Sequence, residues 1–275
     1  MILQLACADA FGAGFEFAPQ NLHLNFPSKG YIKHPKYNIG NGRYTDDTQM
    51  ATSLAEHMIL QKPVDRIEFA QSFLNTFKRD PREGYSKRVY AALQEATSGK
   101  QLVQLLSPYK SQGNGACMRS AVLGFLPDAN KVLTVAAEQA LATHDSSDGV
   151  ESAQAIALAA FGLRTGISRN DIQDFLDSHW VRVRKVGNDG MGSFTVWMAL
   201  QAVKSGSTLT EIMRRAVSYG GDTDTVAAIA VALATQSKDV GQSLPKALLD
   251  GLESGKWGVN YLRALDRGLP GLGKR

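Results

Sequence analysis

Two short stretches of this chain concentrate oxygen donors in a way that no core helix requires. The first is Gly42-Arg43-Tyr44-Thr45-Asp46-Asp47-Thr48, which runs into a helical pattern through Met50, Leu54 and Met58. The second is Gly220-Gly221-Asp222-Thr223-Asp224-Thr225, which runs into an apolar segment starting at Val226. Both place carboxylates and hydroxyls at the start of a helix, where exposed N–H groups and the dipole favour negative charge. Capping accounts for one side chain in each motif. It leaves a second acid and the flanking threonines unexplained, since adjacent carboxylates repel one another. Hard oxygen donors at this density suit Mg²⁺, Mn²⁺ or Ca²⁺, the carboxylates being neutralised by the ion and the hydroxyls acting as neutral ligands. If the two helices converge, Thr45, Asp46, Asp47, Asp222, Asp224 and Thr225 hold two divalent cations about 4 Å apart with a bridging water. Such a site activates water and clamps vicinal hydroxyls or phosphates, which is a hydrolase design.

The elements that must position these motifs read as helices. Apolar residues recur at spacings of three and four, as in Ile67, Phe69, Ala70, Phe73, Leu74 and Phe77, or Ile172, Phe175, Leu176 and Trp180. Thr208 with Glu211 forms a capping box, Ser168 with Asp171 a looser one, and Gly99, Gly166, Gly206 and Gly255 close periodic stretches. About a dozen or more segments fit this template, and strand-like alternation is confined to Trp180 to Val186, so the expected fold is all-α. Val135 to Ala142, Ala153 to Leu163 and Val226 to Thr235 are Ala-rich and nearly uncharged, as central helices packed on all sides would be. Gly14 to Gly42 reads as one long functional loop.

The chain has 275 residues with 44% apolar and 20% charged, enough for a sizeable core, and its 26 Gly and 9 Pro gather in no linker, so a single domain spanning 1–275 is expected. Thirty basic and 26 acidic residues leave +4, too mild to argue for a nucleic-acid partner. Cys7 and Cys117 are the only cysteines, which excludes a disulfide scaffold or a cysteine-ligated zinc and suits a reducing compartment. The opening Met1 to Ala8 lacks a basic residue and reads as a buried helix, and no apolar run approaches membrane-spanning length. A cytoplasmic protein with no membrane partner is expected.

Thr45-Asp46-Asp47-Thr48 and Gly220-Gly221-Asp222-Thr223-Asp224-Thr225-Val226-Ala227-Ala228-Ile229 resemble the two signature motifs of the ADP-ribosylglycohydrolases. Asp9-Ala10-Phe11-Gly12 with Glu16-Phe17, Gly113-Asn114-Gly115-Ala116-Cys117-Met118-Arg119, and Thr143-His144 match in the same order, so the resemblance runs from residue 8 to about 232. It implies an all-α fold around a dinuclear Mg²⁺ or Mn²⁺ site gripping the distal ribose of an ADP-ribosyl group. Thr45, Asp46, Asp47, Asp222, Asp224 and Thr225 would be the metal ligands, and Glu16 the glutamate on a loop beside the metals. Gly113, Asn114, Gly115 and Met118 would cradle the diphosphate, with His144 and Gly221 also contacting substrate. The aromatic residue and acid that the family commonly shows after Gly192 are absent from Gly192-Ser193-Phe194-Thr195-Val196, which leaves the adenosine contact open.

Physical chemistry adds expectations of its own. A Gly-Asn-Gly turn entering a helix through Met118, Val122 and Phe125 offers N–H groups to an anion, as an ordinary helix entry also does. His144 taken alone is a helix C-terminal partner, and Asp9 is expected to be a buried acid pairing with Arg119. Glu16 between Phe15 and Phe17 should have its charged form disfavoured, unless it is simply an exposed loop acid. Tyr44, Tyr219 and Phe194 are candidates for stacking on adenine, or core packing. Arg182-Val183-Arg184-Lys185 reads as a solvated basic edge. The resulting expectation is a monomeric, metal-dependent hydrolase that removes ADP-ribose from protein arginine, with Asp47 or Glu16 moving the proton of the attacking water. Serine, nucleobase or O-acetyl-ADP-ribose linkages, or a catalytically silent ADP-ribose-binding or structural relative, are the alternatives.

Overall fold

An all-apolar helix needs neighbours on every side, and the segment after Val226 has them. The structure is a computed structural model that describes every residue except Arg184, Val186 and Arg275. Among the described residues the α-helices run α1 (Ile2–Gly12), α2 (Asp46–Ile59), α3 (Arg66–Arg79), α4 (Lys87–Glu95), α5 (Gly99–Leu106), α6 (Ala129–Leu141) and α7 (Ser147–Thr165). They continue with α8 (Ile172–Ser178), α9 (Gly192–Ser205), α10 (Leu209–Ser218), α11 (Thr223–Ala234), α12 (Lys246–Gly251) and α13 (Val259–Gly268). No strand occurs among the described residues, and the only bridges there join Gly113 to Met191 and Thr208 to Gly241. The all-α expectation is met.

Every residue of α11 is buried. On one side lies α1, and the approach is close because Gly12 has no side chain: a Cβ there would sit 2.5 Å from Asp224 Cα. Thr223 Oγ1 donates to Gly12 O at 2.8 Å across the same contact. The apolar face predicted for α3 packs as read except at Ile67, which is 39% exposed at the start of the helix. In α3, Phe69, Ala70, Phe73, Leu74 and Phe77 are buried while Asp65 caps the Ile67 N–H at 2.8 Å. In α10, Leu209, Ile212, Met213, Ala216 and Val217 are buried, and Thr208 Oγ1 accepts from Glu211 N. The reciprocal arm of that box lands one residue early, with Ser207 N donating to Glu211 Oε2. Gly166 ends α7 in the left-handed region, φ 108°, with Ile167 N reaching back to Gly162 O.

Several local expectations are corrected. Gly99 opens α5 instead of closing α4, and α12 stops at Gly251, before Gly255. Ser168 does not cap α8; its Oγ accepts from Asn170 N, and the helix starts after Asp171 without a side-chain cap. Trp180 lies beyond α8 with φ 62° and is 87% exposed, so it is no part of the apolar face. The alternating run beside it is non-helical coil where described, with Arg184 and Val186 outside the described residues. Gly14 to Gly42 is not featureless: short 3₁₀ turns at Ala13–Phe15, Pro19–Leu24 and Pro27–Lys29 fold it. The stretch through Met118, Val122 and Phe125 is likewise 3₁₀, at Asn114–Ala116 and Ser120–Phe125, not an α-helix. No helix among the described residues is long and apolar enough to cross a membrane.

Candidate active site

Neither acidic motif spends its carboxylates on capping. Thr45 stands at the N-cap of α2 and Asp222 at that of α11, and neither makes a side-chain cap bond. The cap of α2 comes from another helix. Asp9 of α1, fully buried, accepts from Thr45 N at 3.0 Å, Thr45 Oγ1 at 2.8 Å, Thr48 N at 3.0 Å and Thr48 Oγ1 at 2.5 Å. The expected Asp9–Arg119 pair is therefore wrong: two threonine hydroxyls and two amides satisfy the carboxylate, and Arg119 lies elsewhere. The consequence is that Asp46 and Asp47 are free of helix duty.

The two motifs meet. Thr225 Oγ1 of α11 donates to Asp47 Oδ2 of α2 at 3.3 Å, and Thr45 Oγ1 lies 3.4 Å from the same oxygen. Asp222 Oδ2 accepts from Asn114 Nδ2 at 2.7 Å, while Asp224 Oδ1 accepts from Thr225 N at 3.0 Å. Burial and then the facing acids push the carboxyls of Asp46, Asp47 and Asp224 well above the usual range. Asp47 Oδ1 is buried with no hydrogen-bond partner, an arrangement that costs free energy unless something positive completes it. These groups fit divalent cations. Among the described residues no three His, Cys, Asp or Glu side chains gather tightly enough to hold an ion unaided, so threonine hydroxyls and water would complete any coordination shell. Asp46, Asp47, Asp222, Asp224 and Thr225 line a cavity of about 370 Å³, whereas Thr45 is wholly buried behind it.

Sequence spacing offers little sign of Gly84. Its φ is 112°, and a Cβ there would fall 2.0 Å from Asp46 Oδ1, so the turn opened by Pro81 closes over the acids only with glycine at this position.

Glu16 reaches the same cavity, but not in the apolar setting expected. Phe15 turns into the core against Phe11, centroids 5.1 Å apart, and Phe17 turns out, 61% exposed. Glu16 Oε2 instead lies 2.9 Å from His34 Nε2. Phe17 holds the left-handed region, φ 48°, and its N–H donates to Gly221 O at 2.8 Å. That is the position of Gly221: it anchors the Glu16–Phe17 segment and does not line the cavity.

Gly113, Asn114, Gly115, Met118 and His144 do line it. The Gly-Asn-Gly amides are less available than expected, because Gly113 N donates to Ser111 Oγ at 3.2 Å and Asn114 N to Gly190 O at 2.9 Å. Gly115 lets His144 close in, since a Cβ there would meet His144 Cε1 at 2.8 Å. Arg119 Nη2 donates to Thr143 Oγ1 at 2.9 Å, and that hydroxyl lies 2.8 Å from His144 Nδ1. Nε2 is the ring nitrogen that faces Gly113 and Gly115. Burial, then Arg119, lowers His144 to about 3, so its imidazole is neutral and not a charged helix-end partner. Arg119 is buried, stacked 4.2 Å over Phe73, held by Gln139 and by Gly115 O, and pushed down by burial to about 9.

None of Tyr44, Tyr219 and Phe194 lines the cavity. Tyr44 carries the Arg82 guanidinium 3.6 Å over its ring, and Phe194 stacks with Trp197. Phe17, Tyr37, Phe73 and Tyr85 are the aromatic residues that do. In the basic run, Lys185 sits 4.6 Å over the Trp197 ring; Arg184 is outside the described residues.

Comparison with known proteins gives one consistent result. The ADP-ribosylglycohydrolase family profile matches residues 1–271. ADP-ribosylhydrolase ARH3 of Bos taurus is 24% identical over 254 residues, covering 70% of this chain and 69% of that protein. The Homo sapiens protein of the same name is 23% identical with the same coverage, and the putative ADP-ribosyl glycohydrolase L543 of Acanthamoeba polyphaga mimivirus is 22% identical over 84% of each chain. A solved chain from an ADP-ribosylglycohydrolase-related protein complex shares the fold, with TM-score 0.76 and 24% identity over 99% of this chain and 96% of that one.

Proposed function

Because the chain belongs to the ADP-ribosylglycohydrolase family, and is accordingly a glycosidase-type hydrolase, we propose that it releases ADP-ribose from a modified protein by a metal-dependent route. The observation that carries this reading is the buried, unpartnered Asp47 Oδ1 among crowded acids at the wall of the cavity. Thr45, Asp46, Asp47, Asp222, Asp224 and Thr225 would hold two divalent cations, Mg²⁺ or Mn²⁺. When bound, these supply Lewis acidity for a water and a clamp for vicinal ribose hydroxyls.

The chain's own groups do the rest. Asn114 fixes Asp222 by its 2.7 Å bond. Neutral His144, as its Nε2–H tautomer, would donate to a phosphate oxygen without taking its proton. Asp47 or Glu16 accepts the proton of the attacking water as the bond from the anomeric carbon breaks, and the surrounding carboxylates favour the oxocarbenium character that develops. All of these residues come from one chain, consistent with a working monomer, and the two free cysteines suit a reducing cytoplasmic setting.

The linkage to arginine has a competitor. Lys36 and Lys87 line the cavity, and ammonium groups there oppose a cationic guanidinium leaving group while tolerating a hydroxyl such as that of serine. Incubation with arginine-, serine- and nucleobase-linked ADP-ribose in Mg²⁺ and in Mn²⁺ separates these readings. Asp46→Ala abolishes release on whichever substrate is turned over; undiminished turnover by that variant overturns the mechanism.

A further inference from the structure

Glu16 lines the same cavity as Asp46 and Asp224. The Glu16 side chain is only 17% exposed, and among the described residues a single group donates to it, His34 Nε2 at 2.9 Å.

His34 is unusually constrained for a loop residue. Its side chain is 2% exposed. Nδ1 accepts two backbone N–H groups, from Lys36 and from Tyr37, each at 3.0 Å. The Tyr37 ring closes on the imidazole with centroids 5.0 Å apart. Two donors converging on Nδ1 leave no place for a proton there, so the ring is neutral and protonated at Nε2, and that N–H points at Glu16. The loop backbone therefore selects the tautomer that the glutamate requires. With Oε2 engaged, Oε1 is the oxygen left for the reaction, since nothing among the described residues donates to it.

We propose that His34 is a positioning residue for catalysis, holding the Glu16 carboxylate at the cavity through its Nε2–H, with the Lys36 and Tyr37 amides fixing the tautomer that does so. The role rests on the hydrolase reading above. Two near-isosteric variants separate its two halves. In His34→Asn the amide oxygen replaces Nδ1 and keeps the loop, but no donor reaches Glu16. In His34→Gln the amide nitrogen replaces Nε2 and restores that donor.

The full-length chain with Mg²⁺ is assayed on the substrate it turns over best. His34→Asn is expected to lose about 10- to 100-fold in kcat with KM nearly unchanged, and to melt within about 3 °C of the wild type. His34→Gln recovers most of that loss. Placed in a Glu16→Ala background, His34→Asn costs nothing more. Equal kcat for His34→Asn and wild type, or additive losses in the double variant, overturns the role.

A second measurement holds even if a variant fails to fold. In ¹H–¹⁵N spectra of the wild type, the His34 ring carries its proton on Nε2, and Glu16→Ala shifts that signal. A proton on Nδ1, or an Nε2–H indifferent to Glu16→Ala, overturns it. Absence of ADP-ribose release by the wild type on every linkage sinks the hydrolase reading and this role with it. Release by the wild type together with a fully active His34→Asn sinks this role alone.

Discussion

Gly84 shows how much of the site is decided by single atoms. A methyl group there would lie 2.0 Å from Asp46 Oδ1 on a backbone already at φ 112°, so Gly84→Ala must move either the turn or the carboxylate. Activity is expected to fall about 100-fold, while the circular dichroism stays that of a helical protein; a fully active Gly84→Ala would show that Asp46 need not hold this position. Asp46, Asp47, Asp222 and Asp224 are legible in the sequence because paired acids at helix starts are hard to explain otherwise. Gly84 and His34 are not legible: each acts by contact with a residue far from it in the chain or across a loop, and neither sits in a pattern. The partners of Arg119 are hidden for the same reason. Burial of a cation suggests an acid partner, yet backbone carbonyls and the Gln139 and Thr143 side chains hold it instead.

At the scale of elements, the start of α2 is built by α1. Asp9 supplies the acceptors that an N-cap residue ordinarily provides for itself. Asp9→Ala leaves two amides and the Thr48 hydroxyl buried without partners and the Thr45 hydroxyl with only its 3.4 Å contact to Asp47, and a loss on the order of 3 kcal/mol in urea unfolding is expected. Cation response should weaken with it, because Asp46 and Asp47 ride on that first turn. A variant with wild-type stability would mean that water replaces the carboxylate. The helix period of α3 is visible in the sequence since burial of a face repeats every three to four residues, whereas α7 and α11, buried nearly all round, are visible as Ala-rich uncharged runs. The 3₁₀ geometry of Asn114–Ala116 and Ser120–Phe125 is not, since the same apolar spacing serves either helix when the run is short.

For the whole molecule, crowded acids make stability depend on cations. Mg²⁺ or Mn²⁺ at about 100 times its dissociation constant adds about 2.7 kcal/mol, a rise of several degrees in melting temperature. Asp47→Asn should abolish that rise, and a response unchanged in the variant would place the ions elsewhere. Acid sensitivity has a separate source, His57. Burial, opposed by the bond to Pro63 O and assisted by Lys62, lowers it from 6.5 to about 4. The folded state thus binds its proton less readily than the unfolded chain. Stability from this group is whole above about pH 6.5 and drains away as the pH falls towards 4. Melting temperature should decline across that window, and His57→Gln should flatten the decline; an equal slope in the variant would assign it to other groups.

The sequence alone determined the all-α class, most of the face that α3 buries, the apolar central helices, the two acidic motifs and the ordered set of stretches matching a family. All of these are set by local period or by residue type, which the chain carries without folding. Only the tertiary structure decided that Asp9 caps α2, that Gly12 and Gly84 clear space for Asp224 and Asp46, that Gly221 anchors Phe17, and that His34 faces Glu16. Those outcomes depend on distances between segments many residues apart, and such distances exist only once α1, α2 and α11 have packed together.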